Sequence, residues 1–306
     1  MLNFLYGDLN MRCLFLYNPK SGKEKIKKNL DYIVNRLKEK FEVVDVHPSK
    51  SKEDFIEKAK DSCGRYDYLV FSGGDGSYNL VVNAIAEEDN QPILGYIPSG
   101  TCNDIAHNMK IPTKSIKKCL DIILNNNYIE HDIFKVNNEY CMYVAALGDF
   151  AELSYSTEHN VKKIFGRIAY YFSGLRRLLH KPQFNEIEVV IDDVPYRYKT
   201  PLCLVMNSKY VAGFKINSKG YLNDDLIDVI IVKGTKIKGL FNIARLFILG
   251  ILKLKTEKVS YSFRTKSIKI ISSNDKHWSF DGEEGLAGTL EFECVPNKIK
   301  AITNAR

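Results

Sequence analysis

SGGDGS, Ser72 to Ser77, follows directly on the apolar run Tyr68–Phe71, and how that junction is read decides the fold. The run reads as a buried strand. Glycine weakens a strand and bares its backbone, so leaving one through three glycines grouped around a single aspartate needs a reason. Either a ligand comes close to the main chain, or this is an ordinary tight turn whose aspartate caps the next helix. The loop alone does not choose, so the segments on either side must.

Upstream, Cys13–Tyr17 is a short buried strand, Glu24–Lys40 carries a helical stripe, Phe41–Val46 is a strand and Glu53–Lys60 a helix. Downstream, Asn79–Ala86 reads as a helix and Pro92–Ile97 as a strand. This alternation predicts a doubly wound parallel sheet with helices on both faces. Ligands of such sheets bind at the carboxyl ends of strands, where the glycine loop lies. The pattern changes near Asp132, after which short strands dominate: Tyr140–Ala145, Ile187–Ile191, Leu202–Met206, Leu226–Val232, Ser267–Ser272 and Leu290–Cys294. Two helix-like inserts, Val161–Leu179 and Lys238–Leu254, interrupt them. The expected plan is an α/β nucleotide-binding domain over 11–131 and an antiparallel β-sandwich over 132–294. A C-terminal segment, 295–306, carries the short strand Ile299–Ile302, free to pair with either domain and able to return to the first.

The chain has 306 residues, 45% hydrophobic and 26% charged, enough for two cores. A net charge of +7 favours anionic partners without choosing among them. The seven cysteines are scattered and form no CxxC or Cys/His cluster, which argues for a reduced compartment without disulfides or structural zinc. With neither a signal-peptide pattern nor an apolar run long enough to span a bilayer, a cytoplasmic protein is expected.

GxxxxGK[ST] and GxGxxG are both absent. Gly73, Gly74 and Gly76 would let phosphate oxygens reach backbone N–H groups, Ser77 offers a hydroxyl, and the next helix offers its N-terminus. Asp75 among phosphates makes sense if Mg²⁺ bridges them, since hard cations take carboxylate and phosphate oxygens. Two further loops follow strands: Asn18-Pro19-Lys20-Ser21-Gly22-Lys23, and Pro98-Ser99-Gly100-Thr101-Cys102-Asn103-Asp104. One such loop is ordinary; three on one sheet edge point to a phosphate-bearing ligand.

NPKSGK, SGGDGSYN and PSGTCND, in this order and spacing, resemble the soluble diacylglycerol kinase-like lipid kinase family, which embraces sphingosine and ceramide kinases. NAD kinases and phosphofructokinases share the GGDG loop more distantly. The resemblance runs from about Met11 to the C-terminus and continues through HDIFKV (131–136), LNDDLIDV (222–229) and FDGEE (280–284). Residues 1–10 fall outside it, and Met11 is a candidate start. The resemblance implies that Asn18, Pro19, Lys20, Ser21, Gly22, Gly73, Gly74, Asp75, Gly76, Ser77, Tyr78, Asn79 and Thr101 cradle ATP, with Ser49 also in reach. It further implies that Asp75 orients the metal–phosphate group, that Asp104 and Asp132 support Mg²⁺, and that Glu283 is the general base. Asp224, with the carbonyls of Tyr221 and Leu226, would hold a structural Mg²⁺. Phosphoryl transfer asks mainly for positioning and charge neutralisation, which these residue types supply. Read without the resemblance, Glu283 is a solvated hairpin charge.

Several positions depart from the family pattern. Ser77 replaces threonine and keeps the hydroxyl; Asp225 stands where glycine is typical and Asn223 where aspartate is common. The glycine-rich segment expected after Asn207 shrinks to Val211-Ala212-Gly213-Phe214. Two acid-free stretches, His159–Asn185 and Val229–Thr256, mix basic and apolar residues, as helices in a membrane interface do and as core helices with a solvated face also do.

The expected activity is transfer of the γ-phosphate of ATP to a lipid hydroxyl, with diacylglycerol the default acceptor and phosphatidic acid the product. Ceramide, sphingosine and phosphatidylglycerol are alternative acceptors, NAD a soluble one, and a catalytically silent lipid- or nucleotide-binding protein the non-enzyme alternative. Peripheral contact with the inner face of the membrane is expected, no nucleic-acid reader motif is present, and a homodimer is left open.

Overall fold

The structure, a computed structural model, describes residues 11–21, 24–148, 184–191, 193–211, 213–252, 254, 256–272 and 276–304. These fall into two compact units, one reaching His131 and taking the chain back from Lys298, the other spanning Asp132 to Asn297.

Unit 1 is built on β1 (Arg12–Tyr17), β2 (Val43–Pro48), β3 (Tyr68–Gly73) and β4 (Ile93–Pro98), ordered β2-β1-β3-β4. All three pairings are parallel, and the end of the chain's last strand joins parallel to β4, with Ala301 opposite Leu94. Every residue of β3 is buried, because helices cover both faces of a parallel sheet and the strand needs no polar side. The helices are α1 (Lys25–Lys28), α2 (Leu30–Leu37), α3 (Lys52–Lys60), α4 (Asp75–Ile85), α5 (Asp104–Asn108) and α6 (Ile116–Asn125).

The expected helix Glu24–Lys40 is two helices, broken at Asn29, whose φ is −113° and whose side-chain amide donates to the Lys25 carbonyl at 2.8 Å. α4 starts four residues earlier than expected, inside the glycine loop itself. α5 and α6 had no expected counterpart, although Ser115 caps α6 by accepting from the Lys118 N–H, and Cys119, Leu120 and Ile123 form its buried stripe. The strand order places a topological switch point at β1 and β3: from β1 the chain moves to β2 on one side and returns to β3 on the other. The crevice outside their carboxyl ends is where doubly wound sheets bind ligands.

Unit 2 is antiparallel. Its strands are β5 (Tyr128–Val136, entering from unit 1), β6 (Glu139–Cys141), β7 (Val144–Gly148), β8 (Asn185–Ile191), β9 (Val194–Thr200) and β10 (Leu202–Met206). They continue with β11 (Tyr210–Val211), β12 (Phe214–Lys215), β13 (Ile227–Val232), β14 (Ser260–Thr265), β15 (Ser267–Ser272), β16 (His277–Phe280), β17 (Glu283–Ala287) and β18 (Leu290–Ile302). One layer runs β14-β13-β10-β7-β16-β17; the other places β15 between β8 and the first part of β18, with β9 outside β8. Alternate residues of both layers, among them Val205, Val229, Ile231, Ile268, Ile270, Trp278, Leu290 and Phe292, share one buried core. Each large apolar side chain so buried contributes about 1.5–3 kcal/mol. A single helix among the described residues of this unit, α7 (Lys236–Ile251), packs on β12 and β13.

Two strand expectations change. Leu290–Cys294 and Ile299–Ile302 are one strand, β18. Tyr140–Ala145 is two, β6 and β7, parted at Met142 and Tyr143 for a reason given by the site. The expected helix Val161–Leu179, and with it most of the acid-free stretch His159–Asn185, lies outside the described residues, as do residues 1–10.

Candidate functional site

α4 begins at Asp75, with Gly74 as its N-cap and no side chain closing the cap. Asp75 therefore does not cap its own helix. Its carboxylate reaches the next loop and accepts the Ile105 N–H at 3.1 Å, which ties the GGDG loop to the PSGTCND loop. The two loops also touch through their backbones: a Cβ on Gly100 would lie 2.5 Å from the Gly74 Cα. Ser99 N–H donates to the Gly73 carbonyl at 2.7 Å, and the Ser72 hydroxyl donates to the Ile97 carbonyl at 3.0 Å. Asn103, with φ of 53°, holds the turn shut by accepting from Gly100 N–H (3.0 Å) and donating to the Gly100 carbonyl (2.8 Å). Tyr96 donates to the Gly73 carbonyl at 3.1 Å from beneath.

Asp104 starts α5 and is buried, at 1% exposure. Burial, then the negative charge of Asp75, and with it that of Asp104, push the Tyr96 hydroxyl well above its ordinary value. Ile105, whose N–H Asp75 accepts, directly follows Asp104, so the two carboxylates stem from paired loops. Mg²⁺ is usually held by one or two carboxylates completed by substrate phosphates, and Asp75 with Asp104 fits that description.

At the end of β1, Asn18 folds its turn onto itself, accepting Lys20 N–H at 2.9 Å on its side chain and the Ser21 N–H and hydroxyl on its carbonyl. Asn18 and Lys20 are exposed, Pro19 and Ser21 partly buried, and Gly22 lies outside the described residues. Ser49, buried at the end of β2, is tied to the Tyr17 carbonyl by its N–H at 2.9 Å. Gly73 is buried, Gly74, Gly76, Ser77 and Asn79 are partly buried, and Thr101 is exposed. Tyr78 is different: its side chain is fully buried, edge-on to Tyr96 and Phe71, and so belongs to the core.

In unit 2, Glu283 is exposed at the start of β17. It follows a two-residue turn, Asp281-Gly282, with φ of 51° and 93°, the primed geometry that Asp-Gly favours in hairpins. Asp281 is buried, and its carboxylate accepts the N–H groups of Met142 (2.7 Å), Tyr143 (3.0 Å) and Val144 (3.1 Å). That capture parts β6 from β7 and fixes the turn that presents Glu283. Only the Asp-Gly pair signalled it in the sequence.

Asp132 is also buried, and its carboxylate accepts the N–H groups of Asp225 (2.8 Å) and Asn297 (2.9 Å). Burial raises its pKa against the pull of those N–H groups. Within unit 2 it holds the 222–225 loop. In that loop Asp224 meets the Arg264 guanidinium, which also donates to Asp228 at 2.8 Å, while Asn217 donates to the other Asp228 oxygen at 2.8 Å. One Asp224 oxygen, Oδ1, is buried without a partner. The expected structural cation thus has one fitting donor, in a loop whose charge Arg264 already compensates. Tyr221 and Asp225 are exposed and Leu226 is half-buried. The φ of Asp225, 59°, accounts for glycine being typical there. Among the described residues, no three His, Cys, Asp or Glu side chains cluster as a metal site. Asn103 and Asp281 lie inside quoted motifs that gave them no role, and Arg264 lies outside every motif.

Comparison with known proteins agrees with this architecture. The diacylglycerol kinase catalytic domain matches residues 12–136, and the YegS C-terminal NAD kinase beta sandwich-like domain matches residues 151–303. A diacylglycerol kinase of Staphylococcus saprophyticus is 34% identical over 299 residues, covering 96% of both chains. One of Bacillus subtilis is 31% identical over 286 residues, covering 93% of both. The crystal structure of a diacylglycerol kinase from Bacillus anthracis shares the fold, with a TM-score of 0.82 at 24% identity over 97% of this chain and 99% of that one. With three loops at the carboxyl edge of one parallel sheet, a carboxylate on an antiparallel hairpin and relatives matched nearly end to end, the chain belongs to the diacylglycerol kinase family.

Proposed function

We propose that this enzyme phosphorylates diacylglycerol at the expense of ATP, giving phosphatidic acid and ADP. The observation that carries the reading is the pairing of the GGDG and PSGTCND loops, which brings Asp75 and Asp104 to one edge of the unit 1 sheet. Asn18, Ser21, Gly73, Gly74, Ser77 and Thr101 bind the nucleotide, largely through backbone N–H groups and hydroxyls. Asp75 and Asp104 would hold Mg²⁺, which neutralises phosphate charge when bound. Glu283 takes the proton of the lipid hydroxyl as its oxygen bonds to the γ-phosphorus and the bond to the β-phosphate oxygen breaks. Asp132 positions the 222–225 loop. A substrate that resides in bilayers requires contact with a lipid surface.

The test is transfer from γ-labelled ATP, with Mg²⁺, to diacylglycerol in mixed micelles, with ceramide, sphingosine, phosphatidylglycerol and NAD in parallel. Labelled phosphatidic acid is expected, reduced about 10²–10⁴-fold by Glu283→Gln and similarly by Asp75→Ala. Label in NAD alone would overturn the lipid reading, and ATP binding without any product would favour a silent binding protein.

A further inference from the structure

Helix α7 and its C-cap turn four large apolar side chains toward solvent. Ile237 is 82% exposed, Phe241 64%, Ile248 52% and Leu252, at its C-terminal end, 59%. At 100° per residue these four fall within about 60° of arc. The opposite side, Gly239, Asn242, Ile243, Leu246 and Gly250, is buried. It is also pinned there. A Cβ at Gly239 would lie 2.7 Å from the Gly234 carbonyl, and one at Gly250 would lie 2.7 Å from that of Lys215. Asn242 donates to the Lys233 carbonyl at 2.8 Å, and Phe247 packs edge-on against Phe214 with centroids 5.1 Å apart. The helix cannot turn its bare stripe inward without breaking these contacts.

A helix apolar on nearly every side belongs in a core or in lipid, and an exposed patch of this kind marks an interaction surface. Charge chooses the partner. Between Asp228 and Glu257 the chain has no acidic residue, and exposed Lys238 and Arg245 lie together along one edge of the stripe. In a second copy this stretch would offer those cations no acid to pair with, whereas anionic headgroups complement both.

We propose that the solvent face of α7 seats the protein on an anionic lipid surface. Ile237, Phe241, Ile248 and Leu252 enter the acyl boundary, and Lys238 and Arg245 meet headgroup phosphates. The proposal deepens the lipid-kinase reading and rests on it for its purpose, but its test needs no turnover.

The full-length chain is floated, without ATP, with vesicles of equal parts phosphatidylglycerol and phosphatidylcholine, and with vesicles of phosphatidylcholine alone. Binding to the anionic vesicles is expected, weakened about tenfold or more by Ile237→Ser with Phe241→Ser, and likewise by Lys238→Glu with Arg245→Glu. Circular dichroism checks that these surface variants fold. Phe241→Trp supplies a second readout, because Trp278 is the chain's one tryptophan and is fully buried. Its new emission should be quenched by brominated lipid. Unaltered binding of the serine variant, or an unquenched new indole, would overturn the proposal. So would a vesicle-free dimer that the serine pair dissolves, which would assign the face to a second copy. Micelle kinase activity of the wild-type chain is scored separately, so failure of docking and failure of the kinase reading stay distinguishable.

Discussion

Two glycine-bearing turns in this protein need their glycines for opposite reasons. Gly100, in the loop after β4, sits where a methyl group would press on the Gly74 Cα at 2.5 Å and on Asn103 Oδ1 at 2.8 Å. Gly282, between β16 and β17, has nothing within 4 Å of its missing Cβ but holds φ at 93°. Unit 1 brings the backbones of two loops together. Unit 2 bends a hairpin to present one side chain. The difference follows from the sheets: a parallel sheet gathers loops at the carboxyl ends of its strands, while an antiparallel one turns through tight hairpins.

The most severe test falls on the hairpin's anchor. Asp281→Ala removes an acceptor shared by three buried N–H groups, each costing about 1–3 kcal/mol when left unmade. A loss of at least about 3 kcal/mol in urea denaturation is expected, with a fall in kcat and little change in the KM for ATP, because the turn carrying Glu283 loses its support. Asp281→Asn keeps one acceptor oxygen and should fall between. Wild-type stability in both variants would show that the hairpin stands without its anchor.

Next come the two glycines. Gly100→Ala should cost about 1–3 kcal/mol, as overpacking against main chain does, and weaken ATP binding by titration calorimetry as the two loops part. Gly282→Ala should cost about 1–2 kcal/mol through its backbone conformation alone and leave ATP affinity as it was. Equal effects on ATP affinity would erase the contrast between a steric and a conformational glycine.

Unit 1 was legible because its code is local. β1, β3 and β4 are contiguous apolar runs, and the loop residues that matter follow each within a few positions. Unit 2 was legible as strands but not as contacts. Tyr140–Ala145 reads as one strand because nothing near it announces that Asp281, 138 positions beyond Tyr143, takes its N–H groups. Arg264 escaped notice likewise. It faces Asp228 only through the β13–β14 register, which sequence periodicity does not number. The break at Asn29 turns on a side-chain amide bonded one turn back, a competition with helix that helical stripes do not register.

The smallest expected effect bears on the carboxylate that departs from the family pattern. Asp225 is exposed, and its left-handed backbone, φ 59°, is the conformation for which glycine is the usual choice. What the loop uses at this position is the N–H, donated to Asp132 at 2.8 Å, and any residue but proline supplies that. Asp225→Gly should therefore hold stability within about 1 kcal/mol, since relief of the left-handed strain offsets glycine's extra unfolded-state entropy. Its phosphate transfer and its Mg²⁺ dependence should match the wild type. Asp225→Ala keeps the N–H but not the tolerance of this conformation, and should be the less stable of the two by about 1 kcal/mol. If instead the glycine variant needed more Mg²⁺ for the same thermal midpoint, the side chain would be a cation ligand. The unpartnered Asp224 Oδ1 beside it would then be half of a metal site.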